Sequence, residues 1–190
     1  MAGNSRDEAL FGASKTSMNS KLTCIASALF ACAAMLPAQD NPISTETRTF
    51  YNSVKNNIVK AAEKMPEANY SFKATPDVRS FGQIVGHIAD AQYLFCSAAK
   101  GEEKKSEIEK AATKAAIVEG LKASVAYCDE AYAALTDANA SEKVKFFNQQ
   151  RTKATLLNIN TAHDDEHYGN LVTYMRLKGL VPPSSEAQSR

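Results

Sequence analysis

His163-Asp164-Asp165-Glu166-His167 stands inside a longer run, Lys153 to Lys178, in which apolar residues recur at helical spacing. A separation of four residues stacks the two imidazoles one turn apart on the same helix face, where one metal ion can bind both. Leu156, Asn160, His163, His167, Leu171 and Tyr174 fall on that face. Three successive polar members interrupt an otherwise apolar stripe, and burying each unpaired would cost about 1–3 kcal/mol. A bound cation removes that cost. Gly179 and Pro182-Pro183 supply the expected stop.

The remaining histidine, His87, lies in a second helical stretch that turns Phe81, Ile84, Val85, Ile88, Ala91 and Phe95 to one side. Thr75-Pro76-Asp77 reads as its lead-in and Gly101 as its end. If this stretch packs beside the first, three neutral ring nitrogens converge and leave coordination positions open, the arrangement of a reactive metal centre. Each signal alone has a plainer reading. A spaced pair is often two hydrogen-bonded or exposed histidines, and a solitary one is often a satisfied core residue. The joint pattern favours the metal, because no histidine is left over and bundle interiors are where such sites are built. Asp90, Asp164 and Tyr168 are candidates to orient the rings from behind. The run resembles a distorted H-E-x-x-H, but Asp164 stands where a zinc protease has glutamate and no third histidine follows, which argues against that reading.

Two more amphipathic stretches complete the pattern. One begins near Ser44-Thr45-Glu46, carries Phe50, Val54, Ile58, Ala61 and Met65, and ends at Pro66; the other is capped by Thr113, carries Ile117, Leu121, Val125, Cys128, Tyr132 and Leu135, and breaks at Asp137-Ala138-Asn139. The charged run from Glu102 to Lys110 reads as a solvated crossing segment, and Val144 to Asn148 as a strand-like loop whose Phe146 and Phe147 cover the core. A single all-α domain fits the length, the 8 glycines and 6 prolines, and the absence of tryptophan. With 22 basic against 21 acidic residues and a formal charge of +1, there is no field to attract nucleic acid.

Residues 1–38 read as a leader, and 39–190 as the domain. Lys21 precedes the apolar run Leu22 to Leu36, which is too short to span a bilayer, and Leu36-Pro37-Ala38-Gln39 offers cleavage after Ala38. This is the pattern of a secretory signal peptide starting at Met18, with residues 1–17 outside it. A lipoprotein anchored at Cys32 is the rival reading, weakened by bulky Phe30 in the lipobox. Either way the chain is exported, with no transmembrane span.

Pro76-Asp77-Val78-Arg79-Ser80-Phe81 leading to His87-Ile88-Ala89-Asp90-Ala91, the run from His163 to Arg176, and the ending Gly179-Leu180-Val181-Pro182-Pro183 together resemble the DinB family. The resemblance covers nearly all of the chain after the leader. It implies a four-helix bundle with parallel central helices, often dimeric, whose divalent metal is held by one histidine of the second helix and two of the last. Those ligands fall on His87, His163 and His167. The parallel pair also bears on the two cysteines that survive the leader: Cys96 and Cys128 would then reach similar heights and could form a disulfide, whereas an antiparallel hairpin would keep them apart. The expected activity is hydrolysis of an unidentified small molecule by water activated at a Zn2+ or Ni2+ centre. Two alternatives stay open, a non-catalytic metal-stabilised module of the cell envelope and a thiol-dependent transferase.

Overall fold

The computed structural model describes residues 40–186; the leader and the cleavage and lipidation positions lie outside them. The chain divides into two units, Met1–Gln39 and Asp40–Arg190, and all described residues fall in the second. That unit contains helices α1 (Pro42–Lys64), α2 (Phe81–Lys100), α3 (Lys114–Ala134) and α4 (Lys153–Leu177), with a hairpin of β1 (Lys143–Phe146) and β2 (Gln149–Thr152) before α4. Among the described residues no helix is long and apolar enough to cross a membrane.

Local chemistry sets the helix ends. The Asp137 carboxylate accepts hydrogen bonds from the amides of Ile43 (3.2 Å) and Ser44 (2.7 Å), satisfying donors that the first turn of α1 leaves free. The second helix begins at Phe81, later than Thr75-Pro76-Asp77 suggested, because Ser80 and Gln83 form a reciprocal capping box. Gly101, at φ 77°, closes the same helix in the left-handed conformation. Thr113 caps α3 and Thr152 caps α4. Phe147 turns the hairpin at φ 52°.

Side-chain register gives the helix directions. Ser124 donates to Gln92 at 2.8 Å, Cys96 is bonded to Cys128, and Lys100 meets Glu130 at 3.0 Å, so α2 and α3 ascend together. Tyr51 stacks on Tyr132 at 3.8 Å and Glu63 pairs with Lys122 at 2.6 Å, which makes α1 antiparallel to α3. Gln92 reaches Asp164 while the Tyr174 hydroxyl reaches the Arg79 carbonyl, so α4 runs against α2. Two parallel helices joined in sequence require a connection that travels the length of the bundle, and Gly101–Thr113 is that strap.

The core has two apolar clusters, one containing Ile58, Phe81, Ile88, Leu121 and Leu171, the other Tyr51, Cys96, Cys128, Tyr132 and Leu156. Between them lies a buried polar layer of Gln92, Ser124, Asn160, Thr161 and Asp164. Phe50, expected in the core, is 56 % exposed, and its neighbour Tyr51 is buried instead. The stacking partner Tyr132 decides that register.

Cys96 and Cys128 have Cα atoms 5.3 Å apart and close a loop of sequence separation 32. Removing that crosslink by Cys96→Ala with Cys128→Ala is expected to lower stability by about 2–4 kcal/mol on the chain-entropy account. Denaturant titration measures the loss, and intact mass of unreduced protein should fall two hydrogens short of the dithiol form. Free thiols in protein kept from reductant would contradict the bond.

Candidate metal centre

Two antiparallel helices bring the three histidines together. His87 lies two turns into α2, and His163 and His167 occupy adjacent turns of α4 at the same height. The Nε2 atoms of His87 and His163 are 3.2 Å apart, as are those of His163 and His167. Ligands about 2.0–2.1 Å from a common ion, at angles near tetrahedral, stand at such a separation. The three residues offer ligand atoms all within 4.8 Å of one another and form a cluster able to hold a metal ion.

Protonation favours the same conclusion. Burial first, then the neighbouring His167 and His87 rings, pushes the His163 pKa from its ordinary 6.5 down to about 4. His167 is lowered as well, again mainly by burial and then by His87. Neutral rings present lone pairs, which metals need. The far side of each ring differs. His87 Nδ1 faces the Glu109 carboxylate at 3.4 Å. His167 Nδ1 is 3.3 Å from the Asn170 side-chain amide, which accepts an Nδ1 proton when its oxygen is turned inward. His163 Nδ1 is buried with no partner, so this ring has its polar interactions through Nε2 alone.

The surroundings depart from the sequence reading in four places. Asp90 does not touch His87; its carboxylate accepts from the Ser106 hydroxyl and from the amides of Ile108 and Glu109 at 2.6–3.1 Å. Asp164 is buried beneath the site, accepting from Gln92 Nε2 at 2.8 Å and Asn160 Nδ2 at 3.4 Å, and hydrogen-bonds to none of the rings. Tyr168 instead exchanges hydrogen bonds with Ser184 and pins the chain after α4. The charged run from Glu102 to Lys110 is more than a solvated face, since Glu109 belongs to the site. Nothing in that run sets Glu109 apart from its acidic neighbours, whereas Gln92 was legible as a polar residue amid a buried apolar stripe.

Two walls flank the centre. Phe95 meets the His163 ring edge-on at 5.8 Å and is backed by Phe146 of the hairpin at 5.5 Å, so Phe146 borders the site as well as covering the core. Phe147 packs on Phe146 and is 68 % exposed. On the other side a groove of about 560 Å³ is lined by Thr75, Arg79, Ile84, His167, Asn170 and Tyr174.

Asp164 makes the layer beneath the rings sensitive to pH. Burial raises its pKa from 3.8 to about 8, against the lowering effect of the Gln92 and Asn160 hydrogen bonds, and its second oxygen has no partner. The native state therefore keeps a proton that the unfolded chain releases. Its contribution to stability is complete below pH 3.8 and is lost as pH rises toward 8, whereas that of neutral His163 is complete above pH 6.5 and is lost as pH falls toward 4. Between pH 6.5 and 8 the Asp164 slope remains, and metal-free protein should lose about 1 kcal/mol per pH unit. Asp164→Asn, which mimics the neutral acid, should flatten that slope in denaturant titrations. Equal slopes in the two proteins would contradict a neutral buried carboxyl.

A search among curated proteins finds no significant match to the sequence. Among solved structures, a DinB-like protein from Bacillus cereus ATCC 10987 superposes with a TM-score of 0.63 at 18% identity, covering 72% of this chain and 93% of that one. A DinB-like protein from Bacillus subtilis gives 0.59 at 24% identity, covering 70% and 92%. A mutant of a mycothiol-dependent maleylpyruvate isomerase gives 0.58 at 14% identity, covering 72% and 61%. These likenesses establish the fold. The sequence itself matches the profile of the DinB superfamily over residues 51–171, a span that holds all four helices in part or whole and the three histidines. The chain belongs to the DinB superfamily.

Proposed function

We propose that His87, His163 and His167 hold one divalent ion, Zn2+ or Ni2+, and that the centre hydrolyses a small molecule. The observation that carries this reading is the convergence of three Nε2 atoms, two of them on rings kept neutral by burial, beside an open groove. An ion held there supplies Lewis acidity that brings the pKa of water toward neutrality. The ligand set adds no negative charge, so it leaves that acidity undiminished. Phe95 and Phe146 shield one side of His163 from water. Arg79 lines the groove with guanidinium donors beyond the Nε used on Glu109, available to an anionic group of the substrate. Asn170 holds the His167 ring in place.

The likeness to the mycothiol-dependent isomerase favours one other reading, thiol-dependent transfer at the same centre. Export speaks against it, because low-molecular-weight thiol cofactors are cytosolic reagents. We infer export from the leader pattern of residues 18–38, and the Cys96–Cys128 bond supports an oxidising compartment. Sequencing the amino terminus of protein recovered from the cell envelope should read Gln39 first.

Protein purified without a metal-affinity column should carry close to one ion per chain and should turn over at least one member of an ester, amide and lactone panel. His163→Ala and His167→Ala should each lose both metal and turnover. Full metal occupancy in both variants would overturn the ligand assignment. A metal-loaded wild type that is inert toward the panel but conjugates a thiol to an electrophile would replace hydrolysis with transfer. One inert in both assays, yet melting higher than its chelated form, would be a metal-stabilised module.

A further inference from the structure

The strap between α2 and α3 is seated with more contacts than a connection needs, and those around Ile108–Lys110 fix one residue. Gly86 of α2 leaves room for its backbone: a Cβ there would fall 2.5 Å from the Glu109 Cα and 2.8 Å from the Ile108 carbonyl. Gly120 of α3 makes a second notch, in which a Cβ would lie 2.8 Å from the Ile108 side chain. Asp90 closes the short 3-10 turn Ile108–Lys110 through three hydrogen bonds, two to the amides of Ile108 and Glu109 and one to the Ser106 hydroxyl. Farther up, the Lys104 ammonium lies over the Tyr93 and Tyr127 rings at 4.4 and 4.5 Å.

The residue so fixed is Glu109. One carboxylate oxygen accepts from Arg79 Nε at 2.8 Å, and the other stands 3.4 Å from His87 Nδ1. Glu109 lies on the side of the ring opposite the Nε2 that faces His163, so it is placed behind the ligand and not among the ligands. A carboxylate there can only accept, which selects the tautomer with its proton on Nδ1 and its lone pair on Nε2. Arg79 holds the carboxylate at its other end. The negative charge behind the ring also makes His87 a better donor.

We propose that Glu109 is the positioning residue of the metal centre: carried on the strap and held by Arg79, Asp90 and the Gly86 notch, it orients His87 and strengthens its grip on the ion. The inference rests on the metal reading above. It assigns a task to the strap that the bundle's connectivity alone does not require.

Competition of the purified chain against a chromophoric chelator for Zn2+ tests it, with the melting temperature of the metal-free form measured alongside. Glu109→Ala should raise the Kd about 10–100-fold, the usual cost of removing a partner behind a ligand. Glu109→Gln, whose amide oxygen still accepts the Nδ1 proton without the charge, should fall between. The metal-free melting temperature of Glu109→Gln, which keeps the side-chain volume, should stay near wild type, and Glu109→Ala should lose only the small contribution of a partly exposed ion pair with Arg79. Glu107→Gln, which removes a charge from the same turn but only breaks a pair with Lys110, should leave the Kd unchanged. In the zinc-loaded protein the His87 Nδ1 proton should give a downfield resonance that Glu109→Ala abolishes. Gly86→Ala should raise the Kd by displacing the turn, and combining it with Glu109→Ala should add nothing further. Wild-type affinity in Glu109→Ala, or an equal loss in Glu107→Gln, would overturn the positioning role. A wild type that takes up no Zn2+ would overturn the metal reading and this inference with it.

Discussion

Three converging imidazole nitrogens, with His163 Nε2 within hydrogen-bonding distance of both others, are a constraint that a folded chain does not maintain idly. Like dipoles face each other, and only one proton can lie along each Nε2 pair. The helix that carries two of these rings is the least amphipathic of the bundle's inward faces, since its buried line mixes Leu156, Leu157 and Leu171 with Asn160, Thr161 and Asp164. The rest of the molecule offsets that polarity. Gln92 and Ser124 satisfy one oxygen of Asp164 in series, and Tyr132 bonds to Thr161 and Asn160. The three rings remain as a cluster able to hold a cation.

Connectivity sets the strap. The α4 helix runs against α2, which brings His87 level with His163 and His167, and the parallel arrangement of α2 and α3 forces a long connection between them. A 20-residue helix is about 30 Å long, and thirteen extended residues span that distance with some to spare. The slack is taken up in the 3-10 turn at Ile108–Lys110, which brings a carboxylate beside His87. The disulfide ties the two parallel helices at the end away from the histidines, below the polar layer, so it stiffens the frame without entering the site.

Much of this was legible in the sequence because helical period is a local property. His163 and His167 announce a shared face by spacing alone, and Thr113, Gly101 and Gly179 mark helix ends through chemistry carried by single residues. Partnership across the fold was harder to read. That His87 meets the other two depends on α2 packing against α4, and that Cys96 meets Cys128 depends on the parallel central pair; the family resemblance supplied both and the spacing could not. Asp90 stands three residues from His87 and looks like its partner, but one turn along a helix puts it over the strap instead. Asp164, beside His163 in sequence, looked like a candidate to orient the rings, but it is buried in the polar layer beneath them. A neutral acid is nearly as easy to bury as an amide, and the burial that keeps it protonated is not revealed by the sequence. Glu109 gave no signal at all, since its role comes from where two glycine notches let the strap settle.

X-ray absorption at the metal edge of zinc-loaded wild-type protein tests the central claim most directly. The account predicts three nitrogen scatterers at about 2.0–2.1 Å with the multiple-scattering pattern of imidazole, the remaining shell being light oxygen. A shell dominated by carboxylate oxygen or sulfur, or one with fewer than three imidazoles, would contradict it.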